Sequence, residues 1–161
     1  MEIHLKPIGH VRSGRDDARD ADWGSLESEI VLEPAYRSGL AGLEAWSHVV
    51  VITWLDRDPT GEAPPEDWRR HPRGRTDLPR LGVFAQRGRM RPNPIGITTV
   101  AIVGLEPGGL RVRGLDALEG TPVLDIKPHA GVFDAPRAVL EPVWFSELMR
   151  GYFGEPGAPE R

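Results

Sequence analysis

Asn93 lies between Pro92 and Pro94 in the stretch RGRMRPNPIGIT, residues 87–98. A residue that precedes proline is pushed toward extended backbone, so Arg91 and Asn93 are both biased there. Each proline also fixes its own φ and removes an N–H donor. The Asn93 side chain therefore starts from a nearly fixed backbone, with two donors and an acceptor to offer a ligand. Gly96 then lets the chain turn tightly, or lets a ligand approach the backbone, before an apolar run. The same residues also suit a rigid strand-entry loop in which Asn93 caps a turn, and both readings stay open.

A second polar group sits in RGLDALEGTPVLDIKPH, residues 113–129, with Asp116, Glu119, Asp125 and Lys127. If VLDIKP is a strand, Asp125 and Lys127 share one face while Leu124 and Ile126 share the other. That is either an ion pair on a strand surface or a polar wall facing a ligand. The third feature is charge. Between Arg69 and Arg91 stand eight arginines and one acid, Asp77, a local net of 8 − 1 = +7. The whole chain carries −4, so the remainder carries −4 − 7 = −11. Such asymmetry suits a phosphate-facing patch on an acidic protein, or a solvated arginine-rich loop.

Several chemistries lack their residues. There is no cysteine, which removes disulfides, thiolate metal sites and thiol nucleophiles together. The five histidines (4, 10, 48, 71 and 129) show no H-E-x-x-H pairing, so no metal is expected. No serine sits in a G-x-S-x-G elbow. Neither G-x-G-x-x-G after a strand nor G-x-x-x-x-G-K-[ST] occurs, so a nucleotide-like cofactor would not be held in the Rossmann manner.

The elements that must position these groups are short. With 161 residues, 19 glycines and 16 prolines, one domain rich in turns and strands is expected. IHLKPIGHVRS suggests a strand broken at Pro7, GRDDARDADWGSLES a loop, and EIVLE a strand. PAYRSGLAGLEAW suggests a short helical turn from Pro34, kept brief by Gly39 and Gly42. SHVVVITWL is almost all apolar and predicts a strand buried on both faces. Residues 57–80 form a long Pro/Arg-rich connection, of a length usually tied to function. LGVFA, ITTVAIVGLE, GLRVRGL and PVLDIKP follow as strands, with EPGG as a hairpin turn. PVWFSELMRGYF predicts a closing amphipathic helix and GEPGAPER a frayed tail. The implied class is mainly β: a single antiparallel barrel with short helices. The first ten residues lack a signal pattern and no apolar run reaches spanning length, so a cytoplasmic protein away from membranes is expected.

GVFAQRGRMRPNPIGITTV (82–100) and GLDALEGTPVLDIKPH (114–129) resemble the signature blocks of the TsaA/TrmO family. IGHVRS (8–13) and GLEAWSHVVVITWLDR (42–57) support the resemblance, which covers most of residues 3–135. It implies a TsaA-like barrel over residues 1–152 with a tail at 153–161, assembled as a homodimer. It further implies S-adenosylmethionine as cofactor and methylation of N6 of threonylcarbamoyl-adenosine beside the tRNA anticodon. Cofactor contacts carry over to Asp56, Arg57, Arg87, Pro94, Ile97, Gly114, Leu115 and Asp116, with part of the Gly14–Gly24 loop. Asn93, Asp125 and Lys127 are the catalytic candidates, and Arg69, Arg70, Arg73, Arg75 and Arg91 the RNA-binding ones. The chain departs from the family pattern at Gly14 (for proline), Gly88 (serine), Glu119 (aspartate) and His129 (tyrosine). A methyltransferase for a small molecule, with residues 57–80 as a lid, and a non-catalytic S-adenosylmethionine-binding module are the alternatives.

Overall fold

Alternation of inward and outward side chains along short strands builds the molecule. The computed structural model describes residues 2–17, 19, 21–57 and 66–154. Six strands form the barrel: β1 (Gly9–Arg12), β2 (Glu27–Leu32), β3 (His48–Trp54), β6 (Ile95–Glu106), β7 (Gly109–Arg113) and β8 (Pro122–Pro128). They close in the order β1-β2-β7-β6-β3-β8, with every neighbouring pair antiparallel. The interior is filled by Val11, Ile30, Leu32, Val49, Val51, Val100, Leu110, Val112, Leu115 and Val123, all within a few per cent of full burial.

The expectation of a strand buried on both faces fails for β3. Val49, Val51 and Thr53 point inward and are buried, whereas Val50, Ile52 and Trp54 are only half-covered. A closed barrel has one dry face, and the apolar run instead supplies an apolar outer wall. The EPGG turn forms as read: Glu106 pairs with Gly109 across the two-residue loop Pro107-Gly108. Gly109 is required there, since a Cβ would stand 1.8 Å from the Ile30 carbonyl oxygen. Pro34 opens a 3-10 turn, Pro34–Leu40, followed by another at Leu43–Ala45.

The connection from β3 to β6 is an arm. Its described part carries a two-stranded ribbon, β4 (Arg69–Arg70) with β5 (Leu81–Gly82), and 3-10 turns at Pro72–Gly74 and Val83–Ala85. Residues 58–65 of the predicted long loop, and residues 155–161 of the predicted tail, lie outside the described residues. After β8 come two short helices, α1 (Gly131–Asp134) and α2 (Val143–Leu148). The predicted closing helix thus stops at Leu148. Gly151, at φ 76°, turns the chain back onto the barrel, a conformation glycine adopts without penalty. Among the described residues, no helix is long and apolar enough to cross a membrane.

Candidate functional site

Antiparallel closure decides which loops meet. β1, β3 and β7 end at one rim of the barrel, and β2, β6 and β8 begin there, as the pairs Glu27–Arg113, Trp54–Ile95 and Thr53–Val123 show. That rim therefore gathers residues 13–17, 19, 21–26, 55–57, 94–98 and 114–121, and the arm leaves from it.

Hydrogen bonds knit these loops together. Glu119 Oε2 accepts from the main-chain N–H of Ser13 at 2.7 Å and of Gly14 at 2.8 Å. Those two amides, Gly14 first, hold its carboxyl below the ordinary glutamate value. Arg57 Nη2 donates to the Glu119 carbonyl at 2.5 Å, and its guanidinium stands 3.7 Å from Asp16. Leu55 N–H donates to Pro94 O at 2.7 Å, and Arg87 donates to Ile97 O at 2.9 Å. Asp56 and Asn93 are exposed here, and neither side chain has a hydrogen-bond partner among the described residues. The Asn93 carbonyl accepts from Ile95 N–H at 2.8 Å, so the backbone makes the turn without help from the side chain. Gly96 answers to close approach: a Cβ would stand 2.4 Å from Thr53 Oγ1.

Asp116 lies on the same rim and is anchored at both carboxylate oxygens. Thr98 Oγ1 donates to its Oδ1, and Tyr152 Oη donates to its Oδ2 at 2.8 Å. Gly114, at φ 91°, turns the chain beside Gly24, and Leu115 is a core residue at 1% exposure. Leu115 can therefore reach a ligand only through its backbone. Trp23 is buried against this corner with Arg15 stacked 3.7 Å from its ring, yet its Nε1–H has no partner among the described residues. Thr98, Trp23 and Tyr152 were not singled out by sequence. Threonine in an alternating strand and single aromatics in loops carry no spacing signal.

Asp125 and Lys127 do not join this group. They pair with each other on the barrel's outer wall, Nζ to Oδ2 at 2.7 Å, which raises the lysine pKa. They stand opposite Ile52 and Val50, two and four residues from the Trp54 row, about 7 and about 13 Å along the strand. Asn93 sits beyond that row, so the three catalytic candidates are spread along the wall.

The arginines divide by task. Arg69 clamps Asp67 through Nε and Nη2 at 3.0 Å each, and Arg80 reaches the same acid at 3.2 Å. The Arg69 hydrogen bonds hold the Asp67 carboxyl below its ordinary value. Arg75 does the same to Asp77. Arg91 turns inward and donates to the carbonyls of Val83, Gln86 and Gly88, fixing the turn before Asn93. Arg73 donates to Leu148 O at 2.6 Å, joining the arm to the end of α2. Arg69, Arg70, His71 and Arg80, with Asp67 and Gly74, line a cleft of about 470 Å³ on the arm. Asp67 sits two residues before the arginine run and offsets part of the charge that the run carries.

The sequence model of the tRNA-methyltransferase O N-terminal domain matches residues 19–135 of this chain. The chain belongs to the TrmO family. The crystal structure of TrmO from Pseudomonas aeruginosa is similar with a TM-score of 0.71 and 30% identity, covering 89% of this chain and 62% of that one. A Methanothermobacter thermautotrophicus protein named "Probable S-adenosyl-L-methionine-binding protein" is 44% identical over 134 residues, 80% of this chain and 91% of its own. The human tRNA (adenine(37)-N6)-methyltransferase is 36% identical over 104 residues, 65% of this chain but 23% of its own length. This TrmO-family chain thus spans nearly all of the archaeal relative and less than two thirds of the bacterial TrmO. Both motif blocks, residues 82–100 and 114–129, fall inside the matched segment.

Proposed function

We propose that this chain is an S-adenosylmethionine-dependent methyltransferase acting on N6 of an adenosine beside the anticodon of tRNA, threonylcarbamoyl-adenosine being the form the motif blocks imply. The observation that carries the proposal is the composition of the rim. Among the described residues, Asp56 and Asn93, whose side chains have no hydrogen-bond partner, stand on the same rim as the doubly anchored Asp116 and as Trp23, whose Nε1–H has none either. A carboxylate offers about four lone-pair positions, so Asp116 keeps about two acceptor sites beyond those that Thr98 and Tyr152 use. A nucleoside with hydroxyls and a cationic side needs such acceptors and carboxylates, and the residues present fit it.

When bound, S-adenosylmethionine supplies an electrophilic methyl group on a sulfonium. Asp116 would accept from ribose hydroxyls, Asp56 would place negative charge beside the bound group, and backbone groups of Gly114 and Leu115 lie next to Asp116. Arg87 and Arg57 fix the loops through the carbonyls of Ile97 and Glu119. Asn93 would orient the acceptor amine: its side-chain oxygen would accept a hydrogen bond from the amine N–H, whose proton is released to water as the N–methyl bond forms and the methyl–sulfur bond breaks. Its proline-fixed backbone keeps the geometry constant, and positioning supplies most of the rate gain in such a transfer. The arm grips phosphates through Arg69, Arg70, Arg75 and Arg80. Val132, Phe133, Val139, Leu140 and Val143 are 65–97% exposed, an apolar stretch we assign to a second copy of the chain in a cytoplasmic homodimer.

The archaeal relative's name ends at cofactor binding, which favours a non-catalytic module as the second reading. One experiment separates them: methyl transfer from labelled S-adenosylmethionine to total tRNA of cells lacking this gene, alongside calorimetric titration of the cofactor. Label entering tRNA supports the proposal. Binding without transfer supports the module, and transfer to a metabolite extract but not to tRNA moves the activity to a small molecule.

A further inference from the structure

The segment after α2 lies beyond the residues that the family model matches, yet it is built into the rim. Residues 151–154 run beside residues 22–24, with Asp22 N–H to Gly151 O at 3.4 Å and Trp23 N–H to Tyr152 O at 3.1 Å. The fit is close: a Cβ on Gly24 would stand 1.8 Å from the Phe153 carbonyl oxygen. Phe153 packs edge-on to the Tyr152 ring at 4.9 Å, and the Arg73 guanidinium of the arm lies 5.4 Å from that ring. Phe153 and Arg73 thus flank the phenol ring, and its hydroxyl donates to Asp116 Oδ2 at 2.8 Å. Thr98 holds the other carboxylate oxygen from the barrel interior.

We propose that Tyr152 is a positioning residue of the cofactor site: the strap at 151–154 locks the Asp116 carboxylate so that its free acceptor sites meet a pair of ribose hydroxyls. This rests on the S-adenosylmethionine reading given above. A carboxylate held by one donor can rotate about its terminal torsion, because that torsion is broad. Held at both oxygens, it keeps its remaining lone pairs in one direction, which two neighbouring hydroxyls require. The strap thereby becomes a wall of the site that the matched domain by itself lacks, and Arg73 ties that wall to the arm.

The test titrates the full chain with S-adenosylhomocysteine, which has the ribose but no sulfonium charge, and with its 2′-deoxy counterpart. Four proteins are compared: wild type, Tyr152→Phe, Asp116→Ala and the double variant. Tyr152→Phe should bind S-adenosylhomocysteine about tenfold more weakly, a difference of about 1.4 kcal/mol. The double variant should bind no more weakly than Asp116→Ala, and the 2′-deoxy penalty should shrink in Tyr152→Phe. Hydrogen exchange of the Trp23 amide should stay as slow in Tyr152→Phe as in wild type, showing the strap still seated. Unchanged affinity in Tyr152→Phe overturns the inference. So does an equal further loss in the Asp116→Ala background, which would place the effect in strap packing. Either result with wild-type binding intact leaves the cofactor reading standing; a wild type that binds neither ligand removes both.

Discussion

Replacing Glu119 by alanine should weaken the fold by a small, pH-dependent amount that can be worked from two contacts. The carboxylate accepts from the Ser13 and Gly14 amides at 2.7 and 2.8 Å. Hydrogen bonds to a charged acceptor contribute about 1.5–3 kcal/mol each when dry. Gly14 is exposed and Ser13 half-buried, so both amides regain water in the variant and screening reduces the sum to about 1–2 kcal/mol. For a domain of this size that corresponds to a fall in Tm of about 3–6 °C. The Gly14 and Ser13 amides depress the folded-state pKa of Glu119, so this contribution is complete above the unfolded value of about 4.3. It fades as pH drops through the lower folded value. Thermal melts followed by circular dichroism at pH 7 and at pH 3 or below should therefore show a gap between wild type and variant that narrows in acid. A gap that keeps its size in acid, or none at neutral pH, would refute the role given to these two amides.

Gly24→Ala should lift the strap without unfolding the barrel, because its Cβ meets the Phe153 backbone at 1.8 Å; faster exchange at the Trp23 amide and quicker cleavage after residue 150 would show it. Ile30→Ala, at a fully buried barrel position, should cost about 2–5 kcal/mol in urea unfolding with the m-value unchanged. Asn93→Ala should lower turnover on the order of a hundredfold while leaving cofactor affinity intact, as single-turnover kinetics at saturating cofactor would reveal. Changing both Arg69 and Arg70 to alanine should flatten the log–log salt dependence of tRNA binding by up to about 0.9 for each phosphate no longer neutralised; Arg91→Ala should instead disturb the turn that its guanidinium organises.

The barrel strands were legible because inward and outward residues alternate, whereas LGVFA keeps only Leu81–Gly82 as strand and turns at Val83–Ala85; the barrel class followed from many short strands broken by glycine and proline. The long apolar run at β3 misled, since composition cannot distinguish a strand covered on both faces from one whose outer wall is merely apolar. The rim was legible in part. Asn93 and Asp116 stand in segments that their residue types single out, Asp56 carries over from the family resemblance alone, and the fold brings the three to one end. Lys127 and Asp125 share a strand face as the spacing required, but a shared face does not say how far from the rim they lie. The arginine run read as one patch, yet Arg91 and Arg73 spend their donors on carbonyls, and Asp67 answers Arg69 and Arg80 from just outside the run. Tyr152 was invisible for another reason. Its partner is 36 residues away and its position depends on a single glycine turning the chain after α2.

Closure of the barrel has a kinetic consequence. β6 and β7 meet through a two-residue loop, whereas β1 and β8 join Gly9 to Val123, 123 − 9 = 114 residues apart, through only two paired positions. A pairing of such long range must wait for most of the intervening chain to be ordered, and folds dominated by these pairings form in about milliseconds to seconds. Until the seam shuts, β1 and β8 are open edges able to recruit a strand from another molecule. The Ser13–Glu119 clasp straddles that same seam. The rim that gathers the motif residues is thus complete only with that seam closed, so the site and the covering of two strand edges depend on the same few contacts.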